Sequence, residues 1–556
     1  MKKAFFNPCK ILFLTGMAVL MLISHPTMAQ RDTSAPQTVT IISEFKPEIK
    51  PPAKINLSGA ALPPDTGKLV RPYRVPVQNL IYAYQPVSLA PITYSQDSNE
   101  SQGAHYLAKA GFGNLRTPYF SGAARWGESG DPLLANVYTS YISSKGKVKN
   151  QDYSLLDLKA KASYFLDDYE AYAGVNFSRH QFYQYGYNHT LNDFAKQDIN
   201  QLFNELNLSV GGRNIAKNAW GLDFNPNIAV SIFAKKDSLT ENTLHVNLPV
   251  EKSITDKISA KVEVDLDNTR YHTLGYYQGD FAIKNNVFRF HPSAKYTGKS
   301  FRLNIGAQAI KSFLTWNWLP DITAELPVPK TKFIAQLGWV GTVQKNTIRN
   351  LSAINPYINT LPYQFNTLEK ELYGGVKTTI GKHASFSCKA SFIQYKDFQF
   401  FINDTSVTNG GRGFLTSNEP NLYNFRIHGD VSYFLQDKFI LTGSVNINAY
   451  TGMKANLHAW HTVPVECNVN VKWHLNPKLL IRSNFYFFGG GHYIETGNIS
   501  GTYNGGADWS LGADYKINSR FGAFIDVNNI FGKKYERWHN YPVYGINALA
   551  GVSFRF

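Results

Sequence analysis

The sequence predicts an all-β protein: a transmembrane antiparallel β-barrel of about 22 strands, an even count of the kind bacterial barrels have, preceded by an extended Pro-rich arm. Three observations carry this. From residue 104 to residue 556 apolar and polar side chains alternate with period two, the mark of a sheet with one greasy and one wet face. The connections between these runs alternate short and long. No stretch beyond the N-terminus reaches the roughly 18 consecutive apolar residues of a membrane helix, although the 556-residue chain is 43% hydrophobic and 14% aromatic. Alternation cancels in a hydropathy window, which accounts for a mean hydropathy of −0.27.

Residues 1–29 read as a secretory signal peptide. Lys2 and Lys3 supply positive charge, Ile11 to Ile23 is an apolar run too short to span, and Thr27-Met28-Ala29 supplies small residues before a cut near Ala29. The chain is therefore expected in the outer membrane of a Gram-negative cell. Of its three cysteines, Cys9 leaves with the signal. Cys388 and Cys467 sit in strand-like runs and are expected as buried thiols, since a disulfide framework needs more cysteines in a smaller chain. The formal charge is +16, and loss of Lys2, Lys3 and Lys10 leaves +13. In an exported chain this excess suits anionic lipid or glycan and excludes nucleic acid as the expected partner.

Residues 30–103 form the arm, periplasmic or lumenal. Ten prolines from Pro36 to Pro91 remove backbone donors and fix φ, which excludes helices and central strands. Apolar spots at Val39, Ile41 and Ile42, and at Leu80, Ile81, Tyr82 and Tyr84, predict that it docks on something. Within it, Gln37-Thr38-Val39-Thr40-Ile41-Ile42 is a β-prone segment able to pair with the sheet edge of another protein.

Residues 104–556 form the barrel. Ala507, Trp509, Leu511, Ala513, Tyr515 and Ile517 alternate with Asp508, Ser510, Gly512, Asp514, Lys516 and Asn518. The same pattern runs through Leu156 to Leu166, Ile258 to Leu266, Tyr423 to Leu435 and Phe439 to Ala449. A soluble sandwich also alternates. Here the polar faces are dense in charge, as at Lys159 and Lys161 or Glu263 and Asp265, and the apolar faces end in aromatics like a membrane girdle. Tight turns are expected at Asp167-Asp168, 255–257, 297–300, 381–383, 436–438, 476–478 and Ser519-Arg520. Long loops are expected at 185–200, 267–285, 345–370, 403–420, 489–506 and 529–545. Short turns on one side and long loops on the other fit an outer-membrane barrel, and closure is required because a lipid-exposed edge leaves backbone groups unpaired.

The last strand is expected at about 546–556. Ala548, Ala550, Val552, Phe554 and Phe556 share its lipid face, with Asn547, Ser553 and Arg555 inward. Val552, Phe554 and the final Phe556 resemble the signal read by the barrel-assembly machinery. Val527-Asn528-Asn529-Ile530-Phe531-Gly532-Lys533-Lys534-Tyr535, then Tyr541-Pro542-Val543-Tyr544-Gly545 and a closing Ser553-Phe554-Arg555-Phe556, resemble the C-terminus of TonB-dependent receptors. The segment Thr38, Val39, Thr40 and Ile41 resembles a TonB box, so TonB is an implied partner. The resemblance implies transport or uptake across the outer membrane. The departure is at the N-terminus: receptors of this family carry a plug domain of well over a hundred residues, and the prolines of 30–103 preclude a compact one. The chain looks like a receptor barrel without its plug.

A barrel this wide needs a filled or gated lumen. The arm, inward-folded loops or a partner such as a lipoprotein are the three candidates. Tyr185, Tyr187, Trp316, Trp318, Tyr357, Tyr363, Tyr493, Tyr503 and Trp538 are read as loop aromatics, fit either to stack on a glycan or peptide or to pack on one another. The competing functional class is a scaffold barrel of an outer-membrane complex that moves no solute. An enzyme is not expected: His428, Asp430 and Ser432 lie on one strand face without triad geometry, 489–491 has no following Lys-Ser/Thr, and no metal-ligand spacing or cofactor motif occurs.

Overall fold

The computed structural model describes residues 105–556, apart from 129, 217, 237–238, 274–282, 314, 360–364, 382, 407–408 and 437. The signal peptide (1–29), the arm (30–103), the TonB-box-like residues Thr38–Ile41 and Tyr363 lie outside the described residues.

The described chain is a closed ring of 22 antiparallel strands. The strand Tyr106–Gly113 pairs on one side with Thr117–Trp126 and on the other with the final strand Asn547–Arg555. That seam runs from Leu107 opposite Arg555 to Gly113 opposite Leu549. Tyr106 and Phe556 extend it, each amide N–H donating to the other's carbonyl at 2.9 and 3.1 Å, with their rings stacked at 4.7 Å. The C-terminus is thus held to its last residue. Gly111 and Gly551 face each other across the seam, where a Cβ on Gly551 would collide with the Ala110 carbonyl. The close approach of the two backbones there needs glycine.

One ring strand comes in two pieces, Leu222–Phe224 and Asn227–Lys235, both paired with Leu239–Ser253. Pro226 lies between them and has no N–H to give the ladder. At one end of the ring the connections are short and locally stapled. Asn518 Oδ1 accepts from the Arg520 and Phe521 amides, and Asn476 Oδ1 from those of Lys478 and Leu479, the Asx turns these residues favour. The other end carries the long connections 184–199, 345–366, 452–464, 489–505 and 529–546; 452–464 was not expected from the sequence, and of the expected loop 267–285 residues 267–273 and 283–285 continue the strands Ile258–Thr273 and Ile283–Thr297.

Three details differ from the sequence reading. Residues 403–420 are mostly strand: Ala384–Asp404 and Gly413–Leu435 pair over 21 and 23 residues and rise past the rim. Asp397, with φ of 58°, and Pro420 interrupt this hairpin and turn it over the mouth, which buries Phe400, Phe401 and Phe414. Trp316 and Trp318 are not loop residues. They lie in the strand Thr315–Pro327 and point outward, Trp318 being 71% exposed. Cys388 and Cys467 are half-buried rather than buried, and unbonded.

The outer surface is apolar: Phe120, Val210, Ile305, Leu337, Leu372 and Val552 project from it. Aromatics gather towards both rims, Trp126, Tyr169 and Phe521 at the turn end and Phe112, Trp316 and Phe487 at the loop end. The inner surface is polar and internally paired. Asp265 lies between His245 and Arg289, Lys389 pairs with Glu371 at 2.8 Å, and Arg482 bridges Asp514 and Asp526 at 2.7 and 2.9 Å. Burying charges on a wall is tolerable only when they are matched in this way.

Candidate functional site: a lumen closed by aromatic loops

The largest apolar cluster lies inside the cylinder, at the loop end. It joins wall residues Tyr153, Phe182, Phe203, Phe233 and Tyr271 to loop residues Tyr185, Ile348, Leu351, Tyr357, Trp538, Tyr541 and Tyr544. The loops therefore fold inward, and their aromatics replace water against the upper wall.

Three tyrosines from three loops form its centre. The rings of Tyr357 and Tyr541 stack at 3.8 Å, and Tyr185 meets them edge-on at 5.9 and 4.9 Å. Two of the polar ends are held by the backbone: Tyr185 donates to the Pro542 carbonyl at 3.0 Å, and Tyr541 to the carbonyl of Arg412. A Cβ on Gly186 would strike the Tyr541 ring, so this glycine is what lets loop 184–199 come so close. Burial raises the Tyr185, Tyr357 and Tyr541 hydroxyls well above the usual tyrosine value, and they stay neutral.

Loop 345–366 carries a short helix, α1 (Ile348–Ile354), capped at its start by Thr347, whose hydroxyl accepts from the Asn350 amide at 3.2 Å. Ile348 and Leu351 face the cluster. The loop is also latched to the wall by charge. Lys345 Nζ donates to Asp267 at 2.5 Å and to Thr269 at 2.7 Å, and Arg349 pairs with Glu205 while its amide donates to Glu241 at 3.1 Å. Past the helix, the Asn359 amide donates to the Phe414 carbonyl at 2.7 Å and the Phe414 amide to the Tyr357 carbonyl at 3.1 Å, which ties this loop to the overhanging hairpin. Loop 452–464 is tied to the same hairpin by Glu419, which accepts from the amides of Lys454, Ala455 and Asn456 at 2.8 to 3.3 Å.

The C-terminal motif acquires a structural meaning here. Asn529, with φ of 49°, turns the chain inward, and its side-chain amide donates to the carbonyls of Lys533 and Tyr544. Tyr535 descends to Asp508 at 3.0 Å, and the Pro542 carbonyl accepts from Gln151 as well as Tyr185. Tyr544 packs edge-on against Tyr153 at 5.5 Å. The motif is the anchor that folds loop 529–546 into the lumen.

Of the loop aromatics read from sequence, Tyr185, Tyr187, Tyr357, Tyr503 and Trp538 are buried and pack on their neighbours. Tyr493 stacks on His539 at 3.5 Å. Sequence reasoning missed Tyr541 and Tyr544 as lumen residues, α1 and its two ion pairs, and loop 452–464. The spacing of Tyr541 and Tyr544 around Pro542 was visible; their inward direction was not. His428 uses both ring nitrogens within the wall, on Asp430 at 2.6 Å and Asn446 at 2.7 Å. Among the described residues no group of three or more His, Cys, Asp or Glu is placed to hold a metal ion. Val552 and Phe556 project outward at the seam, with Phe554 between them against Phe521 and Phe556.

No family model and no curated protein matches the sequence. Solved structures do match in shape. The FrpB iron transporter from Neisseria meningitidis superimposes with a TM-score of 0.64 at 11% identity, covering 82% of each chain. The siderophore receptor PirA from Acinetobacter baumannii gives 0.62 at 10% identity, covering 82% of this chain and 81% of that one. The ferric enterobactin receptor PfeA from Pseudomonas aeruginosa gives 0.60 at 10% identity, again covering 82% and 81%. The shared property at this identity is the fold: the cylinder described above is similar in shape to these structures.

Proposed function

We propose that this chain is an outer-membrane transport barrel of the TonB-dependent-receptor type, whose lumen is gated from the loop end by its own loops. The observation that carries the reading is the convergence of Tyr185, Tyr357 and Tyr541 inside the cylinder. A scaffold needs a closed ring and an apolar belt; it has no use for loops stacked in the lumen and latched to the wall by Lys345 and Arg349. The apolar outer face, the two aromatic rims and the shape of known transporters and receptors support residence in the outer membrane. No substrate of those proteins is carried over.

The remaining parts belong to the same proposal. Residues 1–29 are removed on export. Residues 30–103 form a periplasmic or lumenal arm that stands where related receptors have a plug, with Thr38, Val39, Thr40 and Ile41 as its TonB-contacting segment. Val552, Phe554 and Phe556 engage the barrel-assembly machinery, and a lipoprotein is the partner class suited to the loop end. The test is conductance of the full mature chain in planar bilayers. Transport predicts a mostly closed channel that opens when the loops are disturbed. A barrel silent under every loop substitution is a scaffold.

A further inference from the structure

Arg537 stands out among the lumenal charges. It lies on loop 529–546 and is 3% exposed. Its Nη1 donates to the His461 carbonyl at 2.8 Å and reaches the Tyr503 hydroxyl at 3.4 Å. Its guanidinium carbon sits 4.6 Å from the Trp538 ring centre. Nε and Nη2 have no hydrogen-bond partner among the described residues. Those two nitrogens form one edge of the guanidinium, with parallel N–H bonds, and that edge matches the two oxygens of a carboxylate. Leaving it bare in a buried position is costly.

The surroundings narrow the ligand. His461 is 2% exposed and its Nδ1 lies 2.8 Å from the Phe401 carbonyl, so Nδ1 carries the proton and Nε2 presents a lone pair. Burial holds that ring neutral. Nε2 is unpartnered among the described residues, as is the indole N–H of Trp538. The His461 ring stacks on Tyr503 at 5.9 Å and is tilted against Trp538 at 5.5 Å. The site thus offers one positive charge, aromatic walls, one neutral acceptor and one neutral donor. A doubly charged phosphate monoester would call for a second cation; a carboxylate does not.

We propose that the Nε/Nη2 edge of Arg537, flanked by His461, Tyr503 and Trp538, is a binding subsite for the carboxylate of an aromatic or apolar solute. The subsite rests on the transport reading for its purpose but not for its existence, because binding is measured on the detergent-solubilised chain without any flux. The experiment is calorimetric titration of the full mature protein with benzoate, and with benzamide and inorganic phosphate as comparisons. Benzoate binds, benzamide and phosphate do not, and Arg537→Gln weakens benzoate by about 30-fold, the scale of a lost charge-assisted bidentate bond. Arg537→Lys, which keeps the charge and loses the fork, recovers only part of the affinity. Heat-modified gel mobility verifies that each variant is a folded barrel. If Arg537→Gln disturbs the loops, Trp538→Phe, which removes the indole N–H donor and keeps an aromatic side chain, still gives a measurable loss. Equal binding of benzamide, tighter binding of phosphate, no binding of benzoate, or unchanged affinity in a folded Arg537→Gln overturns the proposal. Failure of conductance with benzoate binding intact would refute the transport reading alone.

Discussion

Replacing Tyr541 with alanine removes the keystone of the loop cluster. The ring is fully buried, stacks on Tyr357 at 3.8 Å, meets Tyr185 at 4.9 Å and donates to the Arg412 carbonyl. Truncating a buried aromatic costs about 3 kcal/mol or more, since the hole left behind refills only in part. Here the cost falls on the closed arrangement of the loops, because Tyr541 lies beyond the ring strands and contributes nothing to their ladder. A penalty of about 3 kcal/mol shifts a closed-to-open equilibrium by a factor of about 100. Single-channel recording of Tyr541→Ala therefore gives open events about 100-fold more frequent or longer than in the unaltered protein, while heat-modified gel mobility, which reports the closed ring, stays the same. A folded Tyr541→Ala with unaltered current refutes the gate.

Three further outcomes follow from the same geometry. Lys345→Met leaves the half-buried Asp267 without this partner, costs loop closure about 3 kcal/mol, and exposes 345–366 to limited proteolysis while the wall stays resistant; equal proteolysis of both forms contradicts the latch. Acid opens the gate: burial holds the His461 ring down to about 3 and that of His539 down to about 4, from 6.5. A depressed value means the stability is present above pH 6.5 and is lost as pH falls through that window, at about 1.4 kcal/mol per pH unit for His461. Conductance rising between pH 6.5 and 4, and less so in His461→Gln, is the expected record. Trp316 and Trp318, outward at the loop-end rim, are quenched by lipids brominated near the headgroup; insensitivity of the difference between wild type and Trp318→Phe contradicts the placement of the belt.

The ring was legible in the sequence because period two is a strong signal repeated along every strand, and because each inward register is fixed by one buried polar face. The strand Thr315–Pro327 escaped for a specific reason. Leu319 points inward and packs with Ile310 and Val343, so polar-in, apolar-out fails there and Trp316 and Trp318 look like loop aromatics. Residues 403–420 escaped because Asn, Thr and Gly composition describes a loop, whereas seven cross-strand pairings, from Phe398–Glu419 to Asp404–Gly413, decide otherwise. The gate was legible only as a list of aromatic residues. Loops have no period, so whether Tyr541 stacks on a ligand or on Tyr357 depends on tertiary contacts such as the Asn529 turn and the small Gly186. The two ion pairs of loop 345–366 join residues over a hundred positions apart in the case of Arg349 and Glu205, beyond any local pattern.

The central claim is that the strands close into one cylinder within a membrane, sealed where the first meets the last. Ala110 and Val552 are directly opposite across that seam and both face outward. In cells expressing Ala110→Cys with Val552→Cys, oxidation forms an intramolecular disulfide, since paired positions of adjacent strands lie within bridging distance, and the cross-linked chain fractionates with the outer membrane. Absence of the cross-link in folded protein, or a cross-linked chain recovered in the soluble periplasmic fraction, contradicts the account.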